Sequence, residues 1–157
     1  MGRFATGVTV VSTAHDGQVH SMTANAFMSG SIEPPLCVIS VARKTHMHAA
    51  LVGARHFAVN VLGEDQEKTS RHFGGRPVEG LAPSFEYVGE TPLLADRIAV
   101  VAARVTEIHP CGDHSLFVGE VFHLSAEGLG KPLVFHGGRY AALVYSPGLD
   151  LPTPEFW

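Results

Sequence analysis

Three shortages in the sequence exclude whole classes of protein. The chain has only two cysteines in 157 residues, and Cys37 and Cys111 are too far apart to suggest a disulfide framework or a cysteine-rich metal site. Its net charge is -4 with histidine neutral, so nucleic-acid binding is not expected. No apolar run reaches the roughly 18 residues of a membrane helix, and the start lacks an export signal. We expect a cytoplasmic protein with reduced, buried thiols, bound to neither nucleic acid nor membrane.

Motifs for metal binding and for common catalytic machineries are also missing. The ten histidines form no ligand motif, and His46 and His48 are two apart, so they would not share a helix face. The sequence has no nucleophile elbow, no Walker loop and no Gly-x-Gly-x-x-Gly after a strand. We expect no metal centre, and any nicotinamide would bind without a Rossmann domain.

The apolar pattern predicts one small antiparallel β-barrel with a few short helices. Hydrophobic residues make up 45% of the chain and charged residues 17%, and this low charge suggests that a second copy covers part of the surface. The domain is expected to span residues 1–146, followed by a proline-rich tail at 147–157. Strands are predicted at residues 8–12, 22–31, 36–41, 57–62, 97–106, 116–124 and 140–144.

Turn and helix signals divide these strands. Asp16 and Gly17 predict a hairpin, because glycine accepts the positive φ of such turns. Thr45 is expected to cap a helix with an apolar stripe. A second helix is predicted at residues 64–73, stopping at Gly74 and Gly75, where glycine suits the left-handed C-cap position.

Polar side chains are concentrated in three places. In a single strand at 22–31, Thr23, Asn25 and Ser29 would share one face, and Pro34 and Pro35 would bring Ser40 close to it. Buried hydroxyls and amides need partners, so this row either faces solvent or binds a phosphorylated, polyhydroxylated ligand.

Basic residues precede the first predicted helix. Arg43 and Lys44 stand directly before Thr45, where unpaired N–H groups favour a phosphate; an exposed basic pair in a loop is the alternative. Further along, Gly112, Asp113 and His114 predict a turn between two long strands. Its histidine could bind an anionic or amide group or donate a proton, or the turn could simply be solvated.

Taken together, these segments resemble the flavin reductase family with the FMN-binding split-barrel fold. The resemblance covers nearly the whole chain in the right order. It rests on residues 4–11, 22–29, 34–36, 57–62, 112–114, 117–121 and 132–140.

The resemblance implies a homodimer that reduces FMN or FAD with NADH or NADPH and supplies reduced flavin to a separate monooxygenase. The implied nicotinamide contact is His114, with Arg139 and Tyr140 less directly indicated. The implied flavin contacts and their neighbours are Thr23, Ala24, Asn25, Ser29, Ser40, Val41, Arg43, Lys44, Thr45, Asn60, Gln66, Ser70, Phe73 and Asp113.

The sequence departs from the family pattern in two places. Ser21 stands where the family often has glycine, and Met1 begins almost at the first matching segment, where members commonly have a preceding helix.

Because hydride passes from nicotinamide C4 to flavin N5, the protein needs to supply geometry rather than a nucleophile. The rival functions are a flavin-binding module without turnover and an enzyme of the same barrel with another cofactor or electron acceptor.

Overall fold

The structure is a computed structural model that describes residues 2–126 and 130–144. Most of the described chain is β-strand. Its helices are α1 (His46–Ala54) and α2 (Glu67–Phe73). Its strands are β1 (Thr6–Gly7), β2 (Thr9–His15), β3 (Gln18–Ala24), β4 (Phe27–Ser31), β5 (Leu36–Ala42), β6 (His56–Val61), β7 (Phe85–Val88), β8 (Thr91–Leu94), β9 (Ala99–Cys111), β10 (His114–Ala126), β11 (Val134–His136) and β12 (Arg139–Ala141).

The strands form antiparallel sheets. One sheet has seven strands in the order β3-β2-β6-β9-β10-β5-β4, a second has the order β1-β11-β12, and β7 pairs with β8. Every pairing between these strands is antiparallel. The predicted mainly-β, antiparallel architecture with a few short helices is therefore confirmed.

The core lies on the inner face of the seven-stranded sheet. Alternate residues of β5, Cys37, Ile39 and Val41, are buried, as the two-residue period of a strand requires. They belong to one cluster with Phe57 of β6 and Phe117 of β10. Burial raises the pKa of the Cys37 thiol to about 11, so this cysteine stays a neutral thiol at physiological pH.

Two hairpins follow the turn signals of the sequence. Asp16 and Gly17 have φ angles of 50° and 73° and connect β2 to β3, which confirms the predicted hairpin. The second hairpin joins β9 to β10, with Gly112 at φ 60°. Cys111 was expected to be buried, and this is wrong: it is exposed because it ends β9 beside the turn.

Helix α1 forms as predicted. Thr45 is its N-cap, with an extended backbone and a hydroxyl that accepts a hydrogen bond from the His48 N–H. Met47, Ala50 and Leu51 form its buried stripe, which packs the helix on the sheet.

Helix α2 is shorter than predicted but ends at the predicted glycine pair. It begins at Glu67 rather than at residue 64, because the preceding residues form a turn closed by a hydrogen bond from the Gln66 N–H to the Gly63 carbonyl. Of the two glycines, Gly74 has φ -86° and Gly75 is the left-handed residue, at φ 84°.

Residues 22–31 are not a single strand, contrary to the prediction. β3 pairs with β2 and β4 pairs with β5, at opposite ends of the strand order. The chain must therefore change partners, and it does so at Asn25 and Ala26. The carbonyl of Ala26 accepts a hydrogen bond from the Ser40 N–H. Thr23 and Ser29 consequently belong to different strands rather than to one shared face.

Other boundaries moved by a few residues. The strand predicted at 97–106 runs from Ala99 to Cys111, and the one predicted at 140–144 is β12, which ends at Ala141. The short strands β1, β7, β8 and β11 were not predicted. The tail at 147–157 lies outside the described residues. In the described ranges no helix has the length and apolar character needed to cross a membrane.

Candidate functional site

A groove lies between helix α2, the end of β3 and the β11–β12 hairpin. Its volume is about 520 Å³, within the range of small-molecule sites. A second cavity of about 210 Å³ shares Thr23, Ser70, Phe135 and Tyr140 with it and adds Val8, Ala24 and Asn25. We call the two together the α2 groove. Its remaining lining residues are Glu67, Arg71, Gly74, Arg76, Gly138 and Arg139.

Hydroxyl groups connect the three walls of the α2 groove. The Thr23 hydroxyl donates to the Ser70 carbonyl oxygen at 2.6 Å. The Ser70 hydroxyl lies 2.9 Å from the Tyr140 phenol oxygen. The Tyr140 ring in turn packs edge-on against Phe135, with ring centroids 5.4 Å apart. These contacts fix β3, α2 and β12 relative to one another and leave a mixed polar and aromatic surface.

The groove has an excess of positive charge. Three arginines and one glutamate line it. Arg71 is paired with Glu67 at 2.6 Å one helical turn away, and its guanidinium lies 5.2 Å from the centre of the Tyr140 ring. Arg76 and Arg139 are exposed and supply the excess. Guanidinium groups bind phosphate oxygens in a paired geometry, so the groove suits an anionic ligand with an aromatic part.

A second cluster, which we call the α1 turn, consists of residues 43–45 and 112–114. The Arg43 N–H donates to the Asp113 carbonyl at 3.0 Å, and the Arg43 guanidinium donates to the Gly112 carbonyl. His114 pairs with Ala42 across β10 and β5. The basic residues before α1 and the turn after β9 are thus one connected surface.

A side-chain hydrogen bond lies at the exposed tip of the α1 turn. His114 Nδ1 is 2.7 Å from Asp113 Oδ1. This hydrogen bond, together with the charge of His114, lowers the pKa of the Asp113 carboxyl. The carboxylate therefore stays ionised and orients the imidazole through its Nδ1.

Comparison with known proteins shows the family of this chain. Residues 1–144 match the model of the flavin reductase like domain. The chain belongs to the flavin reductase family. An NADH-dependent flavin reductase from a Rhodococcus species is 39% identical over 146 residues, covering 91% of this chain and 82% of that protein. The reductase component of 4-hydroxyphenylacetate 3-monooxygenase from Thermus thermophilus is also 39% identical, with 92% and 93% covered.

A solved structure shares the fold. It is the NADH:FAD oxidoreductase SgcE6 of Streptomyces globisporus, in complex with NAD and FAD fragments, which superposes with a TM-score of 0.84 at 34% identity. The alignment covers 95% of this chain and 90% of that one. The split-barrel prediction, made from the resemblance, is confirmed.

Most of the site residues expected from the sequence fall into two of these regions. Thr23, Ala24, Asn25, Ser70, Arg139 and Tyr140 line the α2 groove. Arg43, Lys44, Thr45, Asp113 and His114 form the α1 turn. Ser40 lies between the two regions, since its N–H donates to the Ala26 carbonyl directly after Asn25.

Three expected flavin contacts have buried side chains that bond or pack within the protein, so their contact with flavin stays a prediction. Asn60 is 0% exposed, donates to the Val10 carbonyl and to the Ser12 hydroxyl, and accepts from the Leu94 N–H. Gln66 accepts from the Gly63 N–H and donates to the Asp96 carbonyl. Val41 belongs to the core. The hydrogen bonds of Asn60 and Gln66 and the packing of Val41 stabilise the fold around the site.

Two further expected contacts lie away from the groove lining. Phe73 packs against Phe85, with ring centroids 6.4 Å apart. Ser29 lines a separate, mostly apolar cavity of about 330 Å³, together with Met28 and Cys37. Their role in flavin binding remains a prediction from the family resemblance.

Four residues that line the groove were not predicted from the sequence: Glu67, Arg71, Arg76 and Phe135. The spacing of Glu67 and Arg71, four residues apart on one helix face, was a usable signal for an ordered guanidinium. Arg76 and Phe135 carried no such signal, because only tertiary packing brings them to α2. The described residues contain no group of three or more side chains that could hold a metal ion.

Proposed function

We propose that this chain is an NAD(P)H:flavin oxidoreductase that reduces FMN or FAD. Membership of the flavin reductase family over residues 1–144 carries this proposal. The geometry supports it independently, because hydroxyls, an aromatic pair and surplus arginines line one groove. These are the groups that a phosphorylated isoalloxazine compound requires.

The donor set of the α2 groove fits a flavin. The hydroxyls of Thr23 and Tyr140 and the amide of Asn25 provide hydrogen bonds for a polyhydroxylated chain, and Ser70, which is only 1% exposed, holds Thr23 and Tyr140 in place. Arg76 and Arg139 add positive charge to the groove, and the resemblance supports a flavin phosphate at Arg43 and Lys44 of the α1 turn. When bound, flavin and nicotinamide supply the redox chemistry themselves, by hydride transfer between their rings.

The protein's contribution is orientation. The hydrogen bonds from Thr23 to Ser70 and between Ser70 and Tyr140 hold the walls of the groove at a fixed separation. Asp113 orients the imidazole of His114 at the α1 turn, where His114 is positioned to bind the amide or phosphate of a nicotinamide nucleotide. Such alignment supplies much of the rate enhancement in reactions between two bound partners.

The partners of the enzyme follow from its relatives and its surface. We propose that it supplies reduced flavin to a separate monooxygenase, as the name of the Thermus reductase component indicates for that protein. The resemblance supports a homodimer, and the exposed side chains of Met28 and Leu124 around the apolar cavity offer apolar surface for a second copy. Two free cysteines support a cytoplasmic location.

One assay tests the proposed function. The purified protein is examined for a flavin spectrum, and NADH and NADPH oxidation is followed with FMN, FAD or riboflavin added. Rapid oxidation that depends on added flavin supports the reductase. Bound flavin without NADH or NADPH oxidation would instead identify a flavin-binding module, and size-exclusion chromatography with light scattering decides between monomer and dimer.

A further inference from the structure

A partly buried side-chain contact connects helix α1 to the strand that carries His114. His48 Nε2 lies 2.9 Å from Ser115 Oγ. Ser115 directly follows His114 on β10 and is only 4% exposed. His48 lies in the first turn of α1, and its N–H is the one capped by Thr45. The contact therefore joins the start of the helix to the residue next to the proposed nicotinamide contact.

The His48 ring is held in a fixed orientation. Its edge packs against Phe117, with ring centroids 5.2 Å apart at an angle of 71°. Phe117 is fully buried in the core, so the imidazole is anchored on one side by packing and on the other by Ser115. Neither His48 nor Ser115 lines the α2 groove.

Two other contacts connect the same elements, but they act on the loop before the helix. The Arg43 N–H and its guanidinium donate to the carbonyls of Asp113 and Gly112. The His48–Ser115 contact acts one turn further on, within the helix itself. It fixes the angle at which α1, with Arg43 and Lys44 at its start, approaches β10.

We propose that His48 and Ser115 are a positioning pair, which holds the basic start of α1 at a fixed separation from His114. The inference rests on the proposed function, because it concerns how the flavin and nicotinamide nucleotides are placed relative to each other. A flavin phosphate at Arg43 and Lys44 and a nicotinamide nucleotide at His114 would be bound by two segments, which this contact joins in addition to the two Arg43 hydrogen bonds. A displacement of about 1 Å in such an alignment lowers the reaction rate substantially.

The burial of Ser115 determines what its removal should do. A hydrogen bond between partly buried groups contributes modestly, but deleting one partner leaves the other without its bond. Because the two side chains act through a single contact, the losses on truncating each should not add. A purely structural role would lower stability and leave the binding parameters unchanged.

The experiment compares five variants with the parent enzyme. Ser115→Ala and His48→Ala each remove the contact, and the double variant tests additivity. His48→Gln keeps a side-chain N–H in reach of the Ser115 oxygen. Thr13→Val is the matched control, because the buried Thr13 hydroxyl also makes one hydrogen bond, to the His56 carbonyl at 2.7 Å, beyond the other end of α1. Measurements are the KM for NADH, the FMN Kd from fluorescence quenching without NADH, and the thermal unfolding midpoint.

We expect Ser115→Ala and His48→Ala to raise both the KM for NADH and the FMN Kd by about five- to tenfold. The double variant should resemble either single variant, and His48→Gln should recover most of the loss. Thr13→Val should lower the unfolding midpoint as much as Ser115→Ala does, with unchanged binding.

Two results would overturn the positioning pair. The first is parental values of both binding parameters in Ser115→Ala, and the second is a double variant whose loss is the product of the single losses. The parent enzyme is assayed first, so a parent that oxidises no NADH or NADPH with any flavin is recognised as a failure of the proposed function. In that event the FMN Kd still tests whether the contact positions the basic segment.

Discussion

The hydroxyl of Ser70 lies 2.9 Å from the phenol oxygen of Tyr140, 70 residues further along the chain. The Ser70 backbone carbonyl accepts from Thr23, 47 residues earlier. Ser70 is therefore the point at which three distant segments meet, and the α2 groove exists because of this meeting. A groove built in this way should respond to the loss of a single oxygen atom.

Tyr140→Phe removes that oxygen and keeps the ring. We expect the FMN Kd to rise about fivefold, which corresponds to the loss of one neutral hydrogen bond. Packing against Phe135 is retained, so the thermal unfolding midpoint should change little. Tyr87→Phe is the control, since Tyr87 is 56% exposed on β7. Equal FMN affinity in the two variants would contradict a role for the Tyr140 hydroxyl.

The variants Asn25→Ala and Ser29→Ala test two residues that the sequence predicts on one face of a single strand. Asn25 lines the α2 groove, whereas Ser29 lines the apolar cavity beside Cys37. We expect Asn25→Ala to raise the FMN Kd about tenfold, and Ser29→Ala to raise it less. Fluorescence titration measures both, with urea unfolding to verify that stability is retained. A larger effect of Ser29→Ala would place the flavin across β4 instead.

The break at Asn25 and Ala26 shows what local sequence could and could not predict. The hairpin at Asp16 and Gly17 and the cap at Thr45 depend on backbone preferences within a few residues, and both were predicted correctly. The change of strand partner between β3 and β4 depends on the order of strands in the sheet, which is decided by long-range pairing. Alternation along 22–31 was therefore read as one strand although it spans two.

The same limit of local sequence applies to the candidate site. The polar residues near the site were identified by type, but type does not distinguish a ligand contact from a buried structural contact. Ser70 lines the groove, whereas Gln66, four residues earlier, bonds the Gly63 N–H and the Asp96 carbonyl. The difference arises because Gln66 precedes α2 in the turn that begins at Gly63, whereas Ser70 lies within the helix, beside Thr23 and Tyr140. The family resemblance indicated the location, and the structure distinguishes residues that line the groove from residues bonded elsewhere.

Asn60→Ala tests whether the buried Asn60 stabilises the fold rather than binding flavin. Its loss leaves the buried Leu94 N–H and the Val10 carbonyl without their side-chain partner, and creates a small void. We expect the free energy of unfolding to fall by about 3 kcal/mol, measured by urea denaturation. Thr106→Ala is the control, since its hydroxyl bonds the Val118 carbonyl on the exposed surface. Unchanged stability with weakened FMN binding would instead make Asn60 a ligand contact.

His114→Ala tests the nicotinamide side of the site. We expect a higher KM for NADH or a lower kcat, with FMN affinity nearly unchanged, because the resemblance assigns His114 to the nicotinamide and the flavin contacts to other residues. Steady-state kinetics and FMN fluorescence titration measure the two effects. His109→Ala is the control, since His109 pairs with Glu107 at 2.7 Å on the exposed part of β9. Kinetics identical to the parent's would exclude His114 from nicotinamide binding.

His114→Ala should also change the pKa of the neighbouring Asp113. In the parent, the hydrogen bond from His114 and then its charge lower the pKa of Asp113. Because the folded-state pKa is the lower one, the contact is present above the ordinary carboxyl range and is lost as the pH falls through the lowered pKa. His114→Ala should therefore raise the pKa of Asp113 towards its ordinary value, as followed by NMR of the carboxyl carbon. An unmoved pKa would mean that Asp113 does not orient the imidazole, and the alignment of His114 would then depend on its β10 backbone alone.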